Sequence, residues 1–345
     1  MNKYYIQYHS KTLAALAGRE RQQTLPLPGW QFNFPGHSLK TALYDSVKKT
    51  TNSNLHTGLN IVTYLSQDSL EKAKEISKNS VEMLLNLISF ATLAYCEPSK
   101  LATIISIADK EPHPLEHYTY PFAGQELIGS LRIVNESNFR LIFDAYNVSS
   151  HQQRVMRALT WLRKGLGEEA AVDEFVSYWV ALEVVKCVLR RKLVWKVRNP
   201  GEWAGVEDIF VNKLHFQDFR IIKENARNAL LHGHRELDNE FIREISGYVQ
   251  PIRKTLIFCI GTILGLDDDA ILVICNKDPR RIGRNPWAIL EGDVSGLPTD
   301  FEELAKNFPT VDTEIVNKEF SVDQKGELSM AFKVSHRFSA QRVPN

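Results

Sequence analysis

The sequence has only four cysteines, and no two of them form a Cys-x-x-Cys pair. Cys96, Cys187, Cys259 and Cys275 stand far apart, each inside an apolar run. This argues against a structural zinc site or a disulfide framework and for buried free thiols in a reducing compartment. Excess charge of one sign is also missing. The formal net charge is +1 over 345 residues, so any basic surface must be local. No Gly-x-x-x-x-Gly-Lys-Ser/Thr or Gly-x-Gly-x-x-Gly loop is present, which leaves nucleotide-driven action without support. No Gly-x-Ser-x-Gly elbow or paired-carboxylate motif stands out. The longest apolar run, Thr255 to Leu266, is too short to span a bilayer. Met1 to Gln7 lacks the basic-then-apolar pattern of a signal peptide. Internal repeats and low-complexity tracts are absent. The simplest expectation is a cytoplasmic protein that needs no metal or cofactor.

What is there describes a packed chain. Hydrophobic residues make up 43% and charged residues 24%, the balance of a folded protein. The length suggests two or three domains, and three regions separate by pattern. Residues 1–148 mix strand and helix signals. Gly58 to Leu65 and Leu101 to Ile107 read as strands, and Ser69 to Tyr95 as a long helix with Ser69 as its cap. Thr24 to His37, with three prolines, reads as loop. Strand, helix, strand suggests an α/β or α+β layer.

Residues 149–266 read as helix throughout. Gln152–Lys164, Glu168–Lys192, Phe216–Leu231 and Leu237–Leu264 give four amphipathic helices with short links, a helical bundle. In the second, Val172, Phe175, Trp179, Leu182, Val185 and Leu189 form one stripe. In the fourth, Pro251 is expected to kink the helix. Residues 267–345 return to strand signals. Ala270 to Cys275 reads as a short apolar strand. Thr313–Val322 and Glu327–Phe338 read as a hairpin around Asp323-Gln324-Lys325-Gly326. Asp267-Asp268-Asp269 reads as a boundary between regions. The fold class expected is α+β: a central all-α bundle, an α/β N-terminal region and a β-rich C-terminal region.

The densest chemistry lies in Glu224-Asn225-Ala226-Arg227-Asn228-Ala229-Leu230-Leu231-His232-Gly233-His234. A histidine can move a proton at neutral pH. An arginine can hold the charge that develops on a phosphate. Five helical residues turn about 500°, a net of about 140°, so Arg227 and His232 do not share a face of an ideal helix. They converge if the helix frays near Leu231, which Gly233 permits, or if another chain completes the site. A plainer alternative stands beside this: His232 caps carbonyls before Gly233, and Arg227 pairs with an acid such as Glu224 or Asp218.

Arg227-Asn228, three residues, then His232 resembles the Arg-x(4 to 6)-His signature of HEPN domains. Arg157-Ala158-Leu159-Thr160-Trp161-Leu162-Arg163 and Phe175 to Glu183 resemble the Apea-like branch of that family. The resemblance covers about a third of the chain, from about residue 150 to 265. It implies a HEPN-like four-helix bundle that dimerises, with two motifs sharing one cleft. It also implies a metal-independent endoribonuclease on single-stranded RNA, in defence or stress response. By the resemblance, His232 moves the proton of a ribose 2′-hydroxyl or of the leaving oxygen. Arg227 binds the scissile phosphate, and Asn228 orients the phosphate or the histidine. Products would end in 2′,3′-cyclic phosphate. Some members of the family bind or scaffold instead, so a non-catalytic dimerisation module and a non-cleaving RNA-binding protein stand as alternatives.

Other residues carry two readings each. Glu183 either bonds Arg227 or His232 and tunes them, or is a solvated helix-edge carboxylate. His234 is a second proton carrier or a loop residue. Lys186, Arg190, Arg191, Lys192, Trp195, Lys196 and Arg198 suit an RNA path by charge and stacking, or simply complement a helix C-terminus. Arg280, Arg281 and Arg284, near Trp287, form a weaker patch. His113, His117, Tyr118 and Tyr120 read as a surface or inter-domain loop rather than a metal site. The flanking regions are the candidate sites for a regulatory partner or ligand.

Overall fold

The computed structural model of the chain describes residues 2–16, 30–34, 39–49, 54–107, 113–118, 131–193, 201–233, 235–282, 310–322 and 328–339. For 47–49, 54, 55, 231, 232, 310–322 and 328–339 it describes the backbone alone. These residues divide into two units, one within 1–127 and 131–282, the other comprising 128–130 and 283–345. The class is α+β.

The first unit opens with β1 (Asn2–Ser10), β2 (Ala14–Leu16), β3 (Trp30–Asn33), β4 (Lys40–Lys49) and β5 (Asn54–Gln67). Helix α1 (Leu70–Thr92) follows, then β6 (Lys100–Ile107), β7 (Leu115–His117) and β8 (Arg132–Val134). The main sheet has the order β3-β4-β5-β1-β6-β7, and every adjacent pair is antiparallel. The N-terminal strand is therefore central. Its alternation is plain: Tyr4, Ile6 and Tyr8 are buried, while Tyr5, Gln7 and His9 are not. β5 and β6 both run antiparallel to β1 and hence parallel to each other, with β1 between them. β5, α1 and β6 thus form a split crossover rather than an adjacent parallel pair. The Thr24–His37 stretch is corrected in part: Trp30–Asn33 is strand, its Trp30 and Phe32 buried against α2 (Glu136–Val148).

Ser69 caps α1 as expected, its hydroxyl accepting from the Lys72 N–H. The helix binds the sheet through a buried hydroxyl pair as well as apolar contacts: Thr63 Oγ1 lies 2.7 Å from Ser77 Oγ. It binds α3 (Gln152–Gly167) through Glu82, which pairs with Arg163 and accepts from the Ser99 N–H and hydroxyl. Burial alone would raise the Glu82 pKa, but the Arg163 charge and the Ser99 bonds hold it below its ordinary value.

The bundle continues with α4 (Ala171–Leu193), α5 (Ala204–Asp208), α6 (Phe219–Ile221), α7 (Asn228–His232), α8 (Asn239–Leu264) and α9 (Asp268–Cys275). α5 runs on into a π-helical turn, Ile209–Lys213, and α6 into another, Ile222–Arg227. The expected stripe on α4 is buried from Phe175 to Leu189. Pro251 sits inside α8, which stays helical on both sides of it. One core runs from Tyr4 to Cys275, so sheet and bundle are not separately packed bodies. Cys96, Cys259 and Cys275 are buried free thiols; Cys187 is half-buried and accepts from Arg154.

Residues 268–275 form a helix, which corrects the expected apolar strand. The aspartate run is its start signal: the Asp267 side chain accepts from the Ala270 N–H, and Asp268 and Asp269 occupy the first turn. An apolar run of this length has no period that separates strand from helix, and the cap decides it. His117, expected in a loop, lies in β7 and meets Thr103 Oγ1 at 3.1 Å; Tyr120 lies outside the described residues. The second unit contains β9 (Thr310–Val322) and β10 (Leu328–Ser339), an antiparallel hairpin as expected, with a register shift at Lys333/Val334.

Beyond α9, Lys277 turns inward, and its ammonium donates to the Ala91 carbonyl in the last turn of α1, at 2.6 Å. Burial, aided by the Arg132 charge, lowers its pKa from 10.5 to about 8. The unfolded chain thus holds this proton to a higher pH than the folded chain, so the lysine opposes folding below pH 8 and the opposition fades toward 10.5. The span is worth about 3 kcal/mol. Denaturant titrations of wild type and Lys277→Met across this range should show the variant's advantage shrinking by that amount as pH rises.

Candidate functional site

Helix α4 supplies the floor of the site. Trp179, fully buried, packs against Phe175, Trp203 and Phe219, with ring centroids 5.7, 5.0 and 5.9 Å away. Its indole N–H points toward Glu183 Oε1, at 3.4 Å. One turn separates the two, so the stack fixes the carboxylate's root. Glu183 Oε1 accepts from Arg227 Nη2 at 3.0 Å, and Arg227 Nη1 donates to Asn228 Oδ1 at 2.8 Å. The guanidinium is therefore held from two sides, with 26% of its side-chain surface open. Of the two readings of Glu183, the one that bonds Arg227 describes the geometry. Glu224, offered as a partner for Arg227, instead pairs with Arg220 at 2.8 Å.

On the far side of Glu183 lies Lys186. Its ammonium is 3.7 Å from Glu183 Oε2, 2.7 Å from Glu202 Oε1 and 4.7 Å from the Trp203 ring centroid. The lysine bond and charge hold the Glu202 pKa below its ordinary value. The site is a row of alternating charges, Arg227, Glu183, Lys186 and Glu202, laid over an aromatic stack. Sequence reasoning misses Glu202 and Trp203. The one local signal for them is an aromatic beside an acid after Gly201.

The segment carrying Arg227 has unusual local geometry. Asp218 enters α6 with φ 67°, and Ile222–Arg227 then widens into a π-helical turn. Such turns are inserted where one extra residue must be accommodated, often at functional sites. Ile222, Ala226 and Ala229 are buried and anchor the segment. Arg227 closes the wide turn, and ordinary α-helix resumes at Asn228. The helix runs through Leu231 to His232 without fraying, contrary to one expectation, and Gly233 ends it in the left-handed region with φ 65°, as expected. The side chains of Leu231 and His232, and all of His234, lie outside the described residues.

The basic run divides. Lys186 is committed to the site. Lys192 donates to the Thr262 carbonyl at 2.6 Å near the end of α8, and Arg190 is exposed. Arg191 and Lys192 also line an open groove of about 430 Å³ with Ser149, Ser150 and His151. Trp195, Lys196 and Arg198 lie outside the described residues, as do Arg284 and Trp287. Arg281 does not belong to a basic surface patch: it pairs with Glu174, whose carboxylate also takes the Tyr178 hydroxyl at 2.8 Å and faces Arg253 at 3.6 Å. Burial and this carboxylate together push the Tyr178 pKa well up. Arg280 pairs through its backbone with Leu93 and Tyr95.

No family model, curated protein or solved structure matches the chain. Among the described residues, no group of three or more His, Cys, Asp or Glu side chains is placed to hold a metal ion, and no helix is long and apolar enough to cross a membrane.

The row depends on α5 lying close against α4. A Cβ on Gly205 would sit 2.7 Å from the Leu189 carbonyl carbon and 2.8 Å from the Arg190 nitrogen, both backbone atoms that cannot swing aside. Gly205→Ala should cost about 1–3 kcal/mol by forced repacking, read as a lowered denaturation midpoint with unchanged slope.

Proposed function

We propose that this protein is a metal-independent endoribonuclease of HEPN type, acting on single-stranded RNA as a homodimer in the cytoplasm. The observation that supports the reading best is the double anchoring of Arg227 by Glu183 and Asn228, five residues before His232. An arginine fixed in this way presents a preset fork to a phosphate, with little side-chain entropy left to lose. In the mechanism, Arg227 holds the scissile phosphate and stabilises its added charge. His232 takes the 2′-hydroxyl proton, and the His232 of a second copy delivers one to the leaving oxygen. Asn228 keeps the guanidinium aligned, and Glu183 orients it from beneath. The elements around the motif leave Ile221, Leu237 and Ile242 exposed, apolar surface of the kind that a second copy would cover. Arg190, with the groove lined by Arg191 and Lys192, suits the RNA backbone approaching along α4. Defence or stress response is the setting that the resemblance suggests.

A second reading has its own observation. The Arg227–Glu183 pair neutralises the charge that a phosphate would seek, as a structural ion pair does. The bundle would then be a dimerisation or RNA-binding module without cleavage.

Incubating the purified chain with labelled single-stranded RNA in EDTA decides between them. The nuclease reading expects fragments ending in 2′,3′-cyclic phosphate and no cleavage of the matching DNA. Arg227→Ala and His232→Ala should each lower the rate by about 10²-fold or more while the dimer persists in sedimentation. A folded wild-type dimer that cuts no RNA sinks this reading. Salt-sensitive RNA binding without cleavage would then assign the RNA-binding role.

A further inference from the structure

Away from Arg227, the end of α1, the start of α2 and the helix α9 enclose a cavity of about 250 Å³. Its walls are mainly apolar, with Phe139 and Ile142 from α2 and Val273 and Ile274 from α9. Asn138 and Lys277 are among its few polar liners. Val273 and Leu141, which also line it, are 59% and 53% exposed, so the cavity has an apolar mouth at the surface. This is the usual composition of a small-molecule site: an apolar container with a few polar groups that fix orientation.

Lys277 is the charged group of this container, half-buried, with its ammonium on the Ala91 carbonyl in the last turn of α1. A buried ammonium is costly unless a carboxylate answers it. Among the described residues its hydrogen-bond acceptor is the Ala91 carbonyl, and no carboxylate is among the groups that act on its charge. The charged neighbour that acts on it is Arg132 on β8, of the same sign. Arg132 also donates to the Asp278 carbonyl, so the backbone beside Lys277 is held in place. Among the described residues that line the cavity, Lys277 is the one that carries a charge. An ammonium has three donors, and a single neutral carbonyl does not balance its charge.

The geometry points to a binding site for a small monocarboxylate with a hydrocarbon body, its carboxylate on Lys277 and its chain between α2 and α9. A carboxylate there forms a charge-assisted bond in a partly dry setting, and the apolar walls exclude polar anions that lack a tail. The cavity is small beside drug-sized pockets, which run to about 300–1,000 Å³, so a chain of medium length fits and a long one does not. This site does not depend on the nuclease reading.

Octanoate and octanol share a chain and differ in charge, which makes them the probes. Isothermal titration of the full-length chain should show one octanoate site per chain, with octanol about tenfold weaker or worse at about pH 6.5. At about pH 9.5 the wild-type preference should vanish, because the ammonium has lost its proton while octanoate has not changed. Lys277→Met should bind both probes at the octanol level, which also shows that the cavity has survived. Lys277→Arg, which keeps its charge at both pH values, should retain the preference at about pH 9.5. The proposal is overturned by any of three results: no saturable binding of octanoate, equal affinity for the two probes, or a carboxylate preference that persists in Lys277→Met.

Discussion

Helix α4 packs against most of the bundle and carries two paired carboxylates, Glu174, buried near its start, and Glu183, half-buried two and a half turns later. Glu174 cannot stay unanswered in that setting. Glu174 is met by Arg253 from α8, by Arg281 from the segment beyond α9, and by Tyr178 from its own helix. Glu183 is met by Arg227 and Lys186. The elements that surround α4 therefore meet it at two charged levels as well as through apolar packing. The first level ties together parts of the chain more than a hundred residues apart. The second creates the candidate site.

Between these levels the aromatic stack sets the spacing. Trp179 has neighbours from α4, α6 and the start of α5, and it cannot move without disturbing all three. Its indole N–H and the Glu183 carboxylate share one helix face, so the stack and the ion pair act as one support. The wide turn before Asn228 belongs to the same arrangement. It rotates α7 relative to an unbroken α-helix, while Ile222 and Ala226 stay buried. A functional side chain held by packing, a carboxylate and a neighbouring amide is better ordered than one on a loop.

Much of the fold is legible locally. The periodic stripe on α4, the Ser69 cap, the Gly233 stop and the C-terminal hairpin are all written in neighbouring residues. The failures have physical reasons too. Ala270 to Cys275 is too short for its period to speak, and the aspartates that cap it look equally like a polar boundary between regions. Trp30–Asn33 hides among prolines and glycines and becomes strand because β4 offers it a partner. The N-terminal strand has clear alternation, but nothing local says that it lies at the centre of a sheet. The wide turns at Ile209–Lys213 and Ile222–Arg227 carry no composition signal.

What the sequence by itself determined is the buried stripe of α4, the Ser69 cap, the Gly233 stop, the C-terminal hairpin, and that Arg227, Asn228 and His232 share one helical segment. Spacing, capping and alternation act over a few residues, so the chain states them directly. Tertiary structure alone decided that Arg227 answers Glu183, 44 residues away, rather than the nearer Glu224. It alone made Arg281 a structural cation and set Lys277 on the Ala91 carbonyl beside an apolar cavity. Such pairings depend on which elements meet and at what depth. A charge's partner is set by the dielectric and geometry around it, and those exist only once the chain has folded.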